Sequence, residues 1–155
     1  MACWLWFYWY SFVPTDNKNL IDLAHDLFPL NRSITGPGVR ESLALINDWV
    51  DGLVEVYEIP SGSRVLDWEI PLEWEVLEAY VLDPDGKKIL DFQENNLHLV
   101  GYSTPIACKV TLAELKQHLF TLPERPRAVP YVTTYYNKTW GFCCTQEAFD
   151  CLREG

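Results

Sequence analysis

Residues 27–42, LFPLNRSITGPGVRES, decide how this chain begins to fold. Pro29 ends a helix arriving from the N-terminal side, because proline lacks an N–H and its ring clashes with the preceding turn. Pro37 then stands where a second helix starts, its fixed φ suited to a first helical position. Upstream, Asp16 or Asn17 can cap the first helix, which reaches about Phe28. Leu20, Leu23, Ala24 and Leu27 recur on one side of it, with Lys18, Asp22 and His25 on the other. Downstream, Val39, Leu43, Ile46 and Val50 form the buried stripe of the second helix, and Glu41, Asp48 and Asp51 its wet side. Gly52 is placed to close it in a left-handed conformation. Gly36-Pro37-Gly38 is therefore a helix–helix turn. A dinucleotide loop would need glycine where Glu41 stands, and a strand before it.

Beyond Leu53 the period changes. Residues 53–59 are rich in β-branched side chains and read as a strand. Residues 75–82 and 87–92 flank Asp83-Pro84-Asp85-Gly86, a hairpin turn. Residues 97–102 and 129–136 read as further strands, the latter pairing with 140–144 across a short Asn-Lys turn. Thr111 with Glu114 makes a capping box for a helix over about 112–120, and Thr145 caps a last helix. The expected fold class is α+β, with two N-terminal helices followed by a mostly antiparallel β domain carrying one inserted helix. The only boundary signal is Pro60-Ser61-Gly62.

At 155 residues and 48% apolar content, the chain has enough material for a packed core, which at this size buries roughly 70% of the unfolded surface. A net charge of −10, with no cluster of basic residues, excludes a nucleic-acid backbone as partner. Five cysteines, an odd number without C-x-x-C spacing, argue against a disulfide framework and for a reducing, cytoplasmic setting. The matches to the glycosylation sequon at Asn31 and Asn137 are then fortuitous. Aromatic residues crowd the first twelve positions, from Trp4 to Phe12. The apolar run stops at Pro14, too short to span a bilayer, and it lacks the basic face of an interfacial helix. Membrane contact through this segment is not expected.

Candidate chemistry is sparse. A catalytic zinc needs about three converging ligands, yet His25, His98 and His118 lie on different elements with no H-E-x-x-H spacing. His98 draws attention because, on a strand, it shares a face with Asn96 and both could line a cleft. Cys143 and Cys144 would point to opposite faces, leaving one in the core and one partly exposed. A thiol hydrolase would need His98 or His118 beside one of them. Asp83, Asp85 and Gly86 fail as a calcium loop because glycine comes too early. Glu73 and Glu75 read as the wet side of a half-buried segment opposite Trp74 and Val76. Tyr131, Tyr135, Tyr136, Trp140 and Phe142 form an aromatic group that reads first as core and second as a platform for a peptide or sugar ring. The residues nominated to line a substrate site are Asn96, His98, Tyr135, Tyr136 and Trp140; no catalytic or metal-binding residue is nominated.

Several segments in order, LFPLNRSITGPGVRESL, PSGSRVLDWEIPLEW, NNLHLVGYSTP, LPERP with PYVTTYY, and WGFC, resemble the N-terminal part of a family of aminopeptidase-like proteins. The resemblance runs from about Leu20 to Gly155. It implies a zinc aminopeptidase fold interrupted by a β-rich domain of unknown function, some relatives being associated with surface-polysaccharide genes. By this resemblance residues 1–19 are an aromatic N-terminal segment and 20–59 the helical start of the aminopeptidase-like domain. Residues 60–145 are the inserted β-rich domain, and 146–155 the truncated start of the returning catalytic domain. The family's metal ligands are expected downstream of the insertion, so zinc is expected for complete members and no cofactor for this chain. The expectation is a truncated or split piece, inactive alone, with a structural or cleft-covering role beside a catalytic domain or in a homo-oligomer. The alternative is a stand-alone module binding a peptide or glycan.

Overall fold

A computed structural model describes residues 19–32, 35–135 and 137–153. The proposed caps Asp16 and Asn17 and the aromatic N-terminal segment lie outside the described residues. The fold class is α+β.

Helix α1 spans Leu20–Leu27 and is capped by Asn19, whose side-chain oxygen accepts from the Ile21 N–H. Helix α2 spans Pro37–Trp49, with Pro37 at its first position. Its end is a six-residue turn in which Gly52 N–H donates to Asn47 O at 2.7 Å and Asp51 N–H to Asp48 O at 3.2 Å. The left-handed conformation is shared by Asp51 (φ 56°) and Gly52 (φ 81°), where the sequence pointed to Gly52 alone. The most buried residue of α2 is Ser42, its hydroxyl donating to Gly38 O at 2.6 Å, because the chain at Asn31 packs closely against this side. A β-carbon on Gly38 would stand 2.1 Å from Asn31 O, and one on Gly36 (φ 101°) 2.9 Å from Trp74 O. The two glycines of the turn thus permit a close approach of three backbone segments.

The strands are short. β1 (Arg64–Val65) and β2 (Trp68–Glu69) form a small antiparallel ribbon. β3 (Tyr80–Leu82) and β4 (Lys88–Asp91) form the hairpin. Its turn is fastened by Asp83, whose carboxylate accepts from the Asp85 and Lys87 N–H groups at 3.0 and 2.8 Å, while Gly86 takes φ 82°. α3 (Leu112–Gln117) is capped by Thr111 and α4 (Gln146–Cys151) by Thr145. α3 is shorter than expected, since Leu119–Phe120 turns into β5.

Four extended segments lie side by side at the centre. β5 pairs in parallel with β6 (Phe142–Cys143), Phe142 bridges to Leu99, and Gly101 bridges to Thr133. The chain over 99–101 therefore sits between 132–134 and β6. The expected direct pairing of 129–136 with 140–144 is replaced by this arrangement: the 99–101 segment is inserted between them, held by Val100 N–H to Gly141 O (3.0 Å) and Thr134 N–H to Gly101 O (2.9 Å). Residues 53–59, 75–79 and most of 129–136 have no ladder partner among the described residues and are not strands.

The core gathers around β6. Leu90, Leu115, Leu119, Phe142 and Cys144 are buried together, with Val100 and Cys143 fully enclosed. A β-carbon on Gly141 would meet Phe120 Cε2 at 2.9 Å, Val100 Cγ2 at 3.0 Å and His118 O at 3.1 Å. Overpacking of this kind costs about 1–3 kcal/mol. The Gly141→Ala chain is accordingly expected to lose about that much stability in urea-unfolding curves, whereas Gly62→Ala, which meets nothing within 4 Å, pays only for its positive φ.

Candidate functional site

Asn96 and His98 lie on a 3₁₀ turn, Asn96–His98, capped by Asn95, and not on one face of a strand. A 3₁₀ turn points successive side chains about a third of a turn apart, so the two diverge. The Asn96 amide donates to Pro29 O at 3.0 Å, tying the end of α1 to the β region. His98 points the other way, where its Nδ1 lies 2.8 Å from Cys143 O. A carbonyl can only accept, so Nδ1 carries the proton.

The aromatic residues separate into two groups. Trp140 stacks on His118 with ring centroids 3.8 Å apart and meets Phe142 edge-on at 6.5 Å. His118 Nδ1 donates in turn to Trp140 O at 2.9 Å. Tyr135 instead meets Tyr102 edge-on at 5.0 Å, and Tyr102 stacks on Trp74 at 5.4 Å. Tyr131 is exposed. Tyr136 lies outside the described residues. The nominated residues Asn96, His98, Tyr135 and Trp140 are each half-buried and engage different partners, Pro29, Cys143, Tyr102 and His118.

Tyr102, at the end of an expected strand, is the hub of the second group. Its backbone takes φ 62°, a sterically costly conformation for an aromatic residue. It is held there by the Trp74 and Tyr135 rings and by a 2.8 Å hydrogen bond between its hydroxyl and Thr35. Trp74 Nε1 donates to Ser103 O at 3.1 Å, and Arg40 of α2 forms a two-pronged ion pair with Glu73 at 2.5 and 3.1 Å. Arg40 holds the Glu73 carboxyl below its ordinary range. These contacts seat the helical pair on the β region, and the pair is exposed enough that solvent weakens it. The signal for Tyr102 in the sequence was Gly101-Tyr102-Ser103, a polar break within an apolar run.

An open groove of about 240 Å³ lies along this seam, bordered by Asn31, Thr35, Glu41, Trp74, Gln93 and Asn96. An apolar one of about 320 Å³ lies between β4, α3 and α4, lined by Leu90, Leu115, Leu119, Cys144 and Leu152. Drug-sized ligand sites are commonly about 300–1,000 Å³; the titratable side chains bordering the first groove are Glu41 and Glu75.

The described residues do not fit a zinc ion. Among the described residues no group of three or more His, Cys, Asp or Glu side chains stands close enough to hold a metal. Nor does the thiol pair suit nucleophilic chemistry. Both Cys143 and Cys144 are buried, at 0% and 1% exposure, so the expectation of one exposed thiol is corrected. Strand alternation exposes neither: Cys144 joins the hydrophobic cluster, and Cys143 is enclosed as well. Burial, then the neighbouring Cys144, pushes the Cys143 thiol up to about 12; burial alone pushes Cys144 up to about 11. Neither offers a thiolate near neutrality. Cys108 and Cys151 are free and exposed. No helix among the described residues is long and apolar enough to cross a membrane.

Residues 73–155 match the family described as "Domain of unknown function (DUF2172)". The chain is similar, at 44% identity over 133 residues, to a Clostridium acetobutylicum protein described as "Putative polysaccharide biosynthesis protein with aminopeptidase-like domain". That match covers 86% of this chain and 30% of the relative. A solved structure described as a "putative peptidase" from the same organism superposes with a TM-score of 0.79 and 44% identity, over 86% of this chain and 31% of that one. The chain thus spans about a third of the length of the proteins it matches.

Two outcomes check this description. Asn96→Ala is expected to cost about 1 kcal/mol and to speed amide exchange selectively in α1, leaving β3–β4 unchanged. An alkylating probe is expected to modify Cys108 and Cys151 in the folded chain, and Cys143 and Cys144 only after unfolding. Because the folded thiols hold their protons more tightly than the unfolded ones (ordinary value 9.0), stability is retained below pH 9 and falls as pH rises toward about 11–12.

Proposed function

We propose, from the premise that this chain belongs to the DUF2172 family, that it supplies a non-catalytic part of an aminopeptidase-like protein. Its role in that reading is structural, or to border the cleft of a catalytic partner. The observation that carries it is the 44% identity shared with a protein named for an aminopeptidase-like domain, over less than a third of that protein's length. In this reading residues 20–59 begin the aminopeptidase-like domain, 60–145 are the β-rich insertion, and 146–155 return toward the catalytic part. Any zinc of the complete proteins is held by residues other than those described here. The hydrogen bonds of Asn96 and His98 support the structural role over a peptide- or glycan-binding platform, because the donors that would read a ligand are spent on backbone carbonyls. The free thiols are compatible with a reducing, cytoplasmic setting.

Metal analysis and an aminopeptidase assay with an amino-acid p-nitroanilide test the reading, with the full-length Clostridium relative assayed alongside. The expected result is no stoichiometric zinc and no turnover for this chain. Stoichiometric zinc together with turnover would refute it.

A further inference from the structure

Residues 53–59, LVEVYEI, leave α2 as extended chain with no strand beside them among the described residues. The Val54 N–H is taken by Asn47 Oδ1 at 2.9 Å. From Glu55 to Ile59 no backbone N–H donates to a described group. The apolar side chains are left in solvent: Leu53, Val56, Tyr57 and Ile59 are 72%, 50%, 76% and 56% exposed, the Tyr57 hydroxyl bonding to Glu55 of the same segment. Successive residues of an extended chain face opposite sides. Leu53, Tyr57 and Ile59 therefore make one side apolar, and Val54 and Val56 the other, with one glutamate on each. A strand that rests one face on a core and wets the other alternates apolar with polar. A run that is apolar on both faces suits a strand enclosed within a layered sheet. Isolated edges are normally blunted by lysine, proline or a bulge, and Pro60 stands only at the far end.

Charge weighs against a second copy as the missing neighbour. Antiparallel self-pairing centred between Val56 and Tyr57 sets Glu55 against Glu58 twice and in-register parallel pairing sets each glutamate against itself, which leaves registers such as the one centred on Val56. Like charges directly opposed are destabilising, and each chain carries −10 overall. The proteins this chain matches have most of their length outside the matched region. We infer that residues 53–59 are a sheet strand whose neighbouring strand comes from the aminopeptidase-like remainder of such a protein. This rests on the reading proposed above and names the surface through which that part is joined.

Amide hydrogen exchange on the full chain and on the full-length Clostridium relative tests the inference, with sedimentation of both. In this chain, the 53–59 amides are expected to exchange at unstructured rates while the chain sediments as a monomer. In the longer relative, the aligned segment is expected to be slowed by at least about 100-fold, as for paired strands. Equal, fast exchange in the relative overturns the inference. So does protection in this chain alone, which as a dimer points to a second copy and as a monomer to its own residues. Zinc content and turnover read the functional proposal separately, so either can fail without the other.

Discussion

The segment Trp140–Cys144 is gripped from every side, and the β region is organised around it. Gly141 O accepts from Val100 N–H and Gly141 N–H donates to Ser103 Oγ. Phe142 and Cys144 N–H donate to His118 O and Phe120 O at 2.8 and 3.0 Å. His98 and His118 reach the carbonyls of Cys143 and Trp140. A buried backbone must have its polar groups satisfied, and here two separate parts of the chain, 98–103 and 118–120, converge to do it. The absence of a side chain at Gly141 is what lets them come so close.

That convergence explains which elements were legible in the sequence. Caps and turns are decided by a few adjacent residues: Pro37 opening α2, Thr111 and Thr145 capping α3 and α4, Asp83 and Gly86 turning the hairpin. Each is legible because its physics is local. The strands are shorter than their composition suggests, because a β-branched run reports only a willingness to pair. Residues 53–59 and 129–136 have the composition of strands, yet the ladder partner of β6 is β5, reached through the chain around His118, and the 99–101 segment intervenes on its other side. No periodicity announces such a pairing.

The candidate site was less legible for the same reason. Placing Asn96 and His98 on one strand face depended on a strand that is in fact a 3₁₀ turn. Grouping Trp140 with Tyr135 depended on the pairing of 129–136 with 140–144, whereas the fold assigns one to His118 and the other to Tyr102. The resemblance to aminopeptidase-like proteins lay in ordered motifs and not in any ligand geometry, so it pointed to a family without pointing to a site.

Because a carbonyl oxygen only accepts, His98 and His118 each turn a hydrogen-bearing Nδ1 toward the backbone of the central segment. A phenylalanine at either place would keep a flat ring of similar outline and have nothing to offer the Cys143 or Trp140 oxygen. The two imidazoles are rivets: each pins one peptide of the strand by a single directed bond.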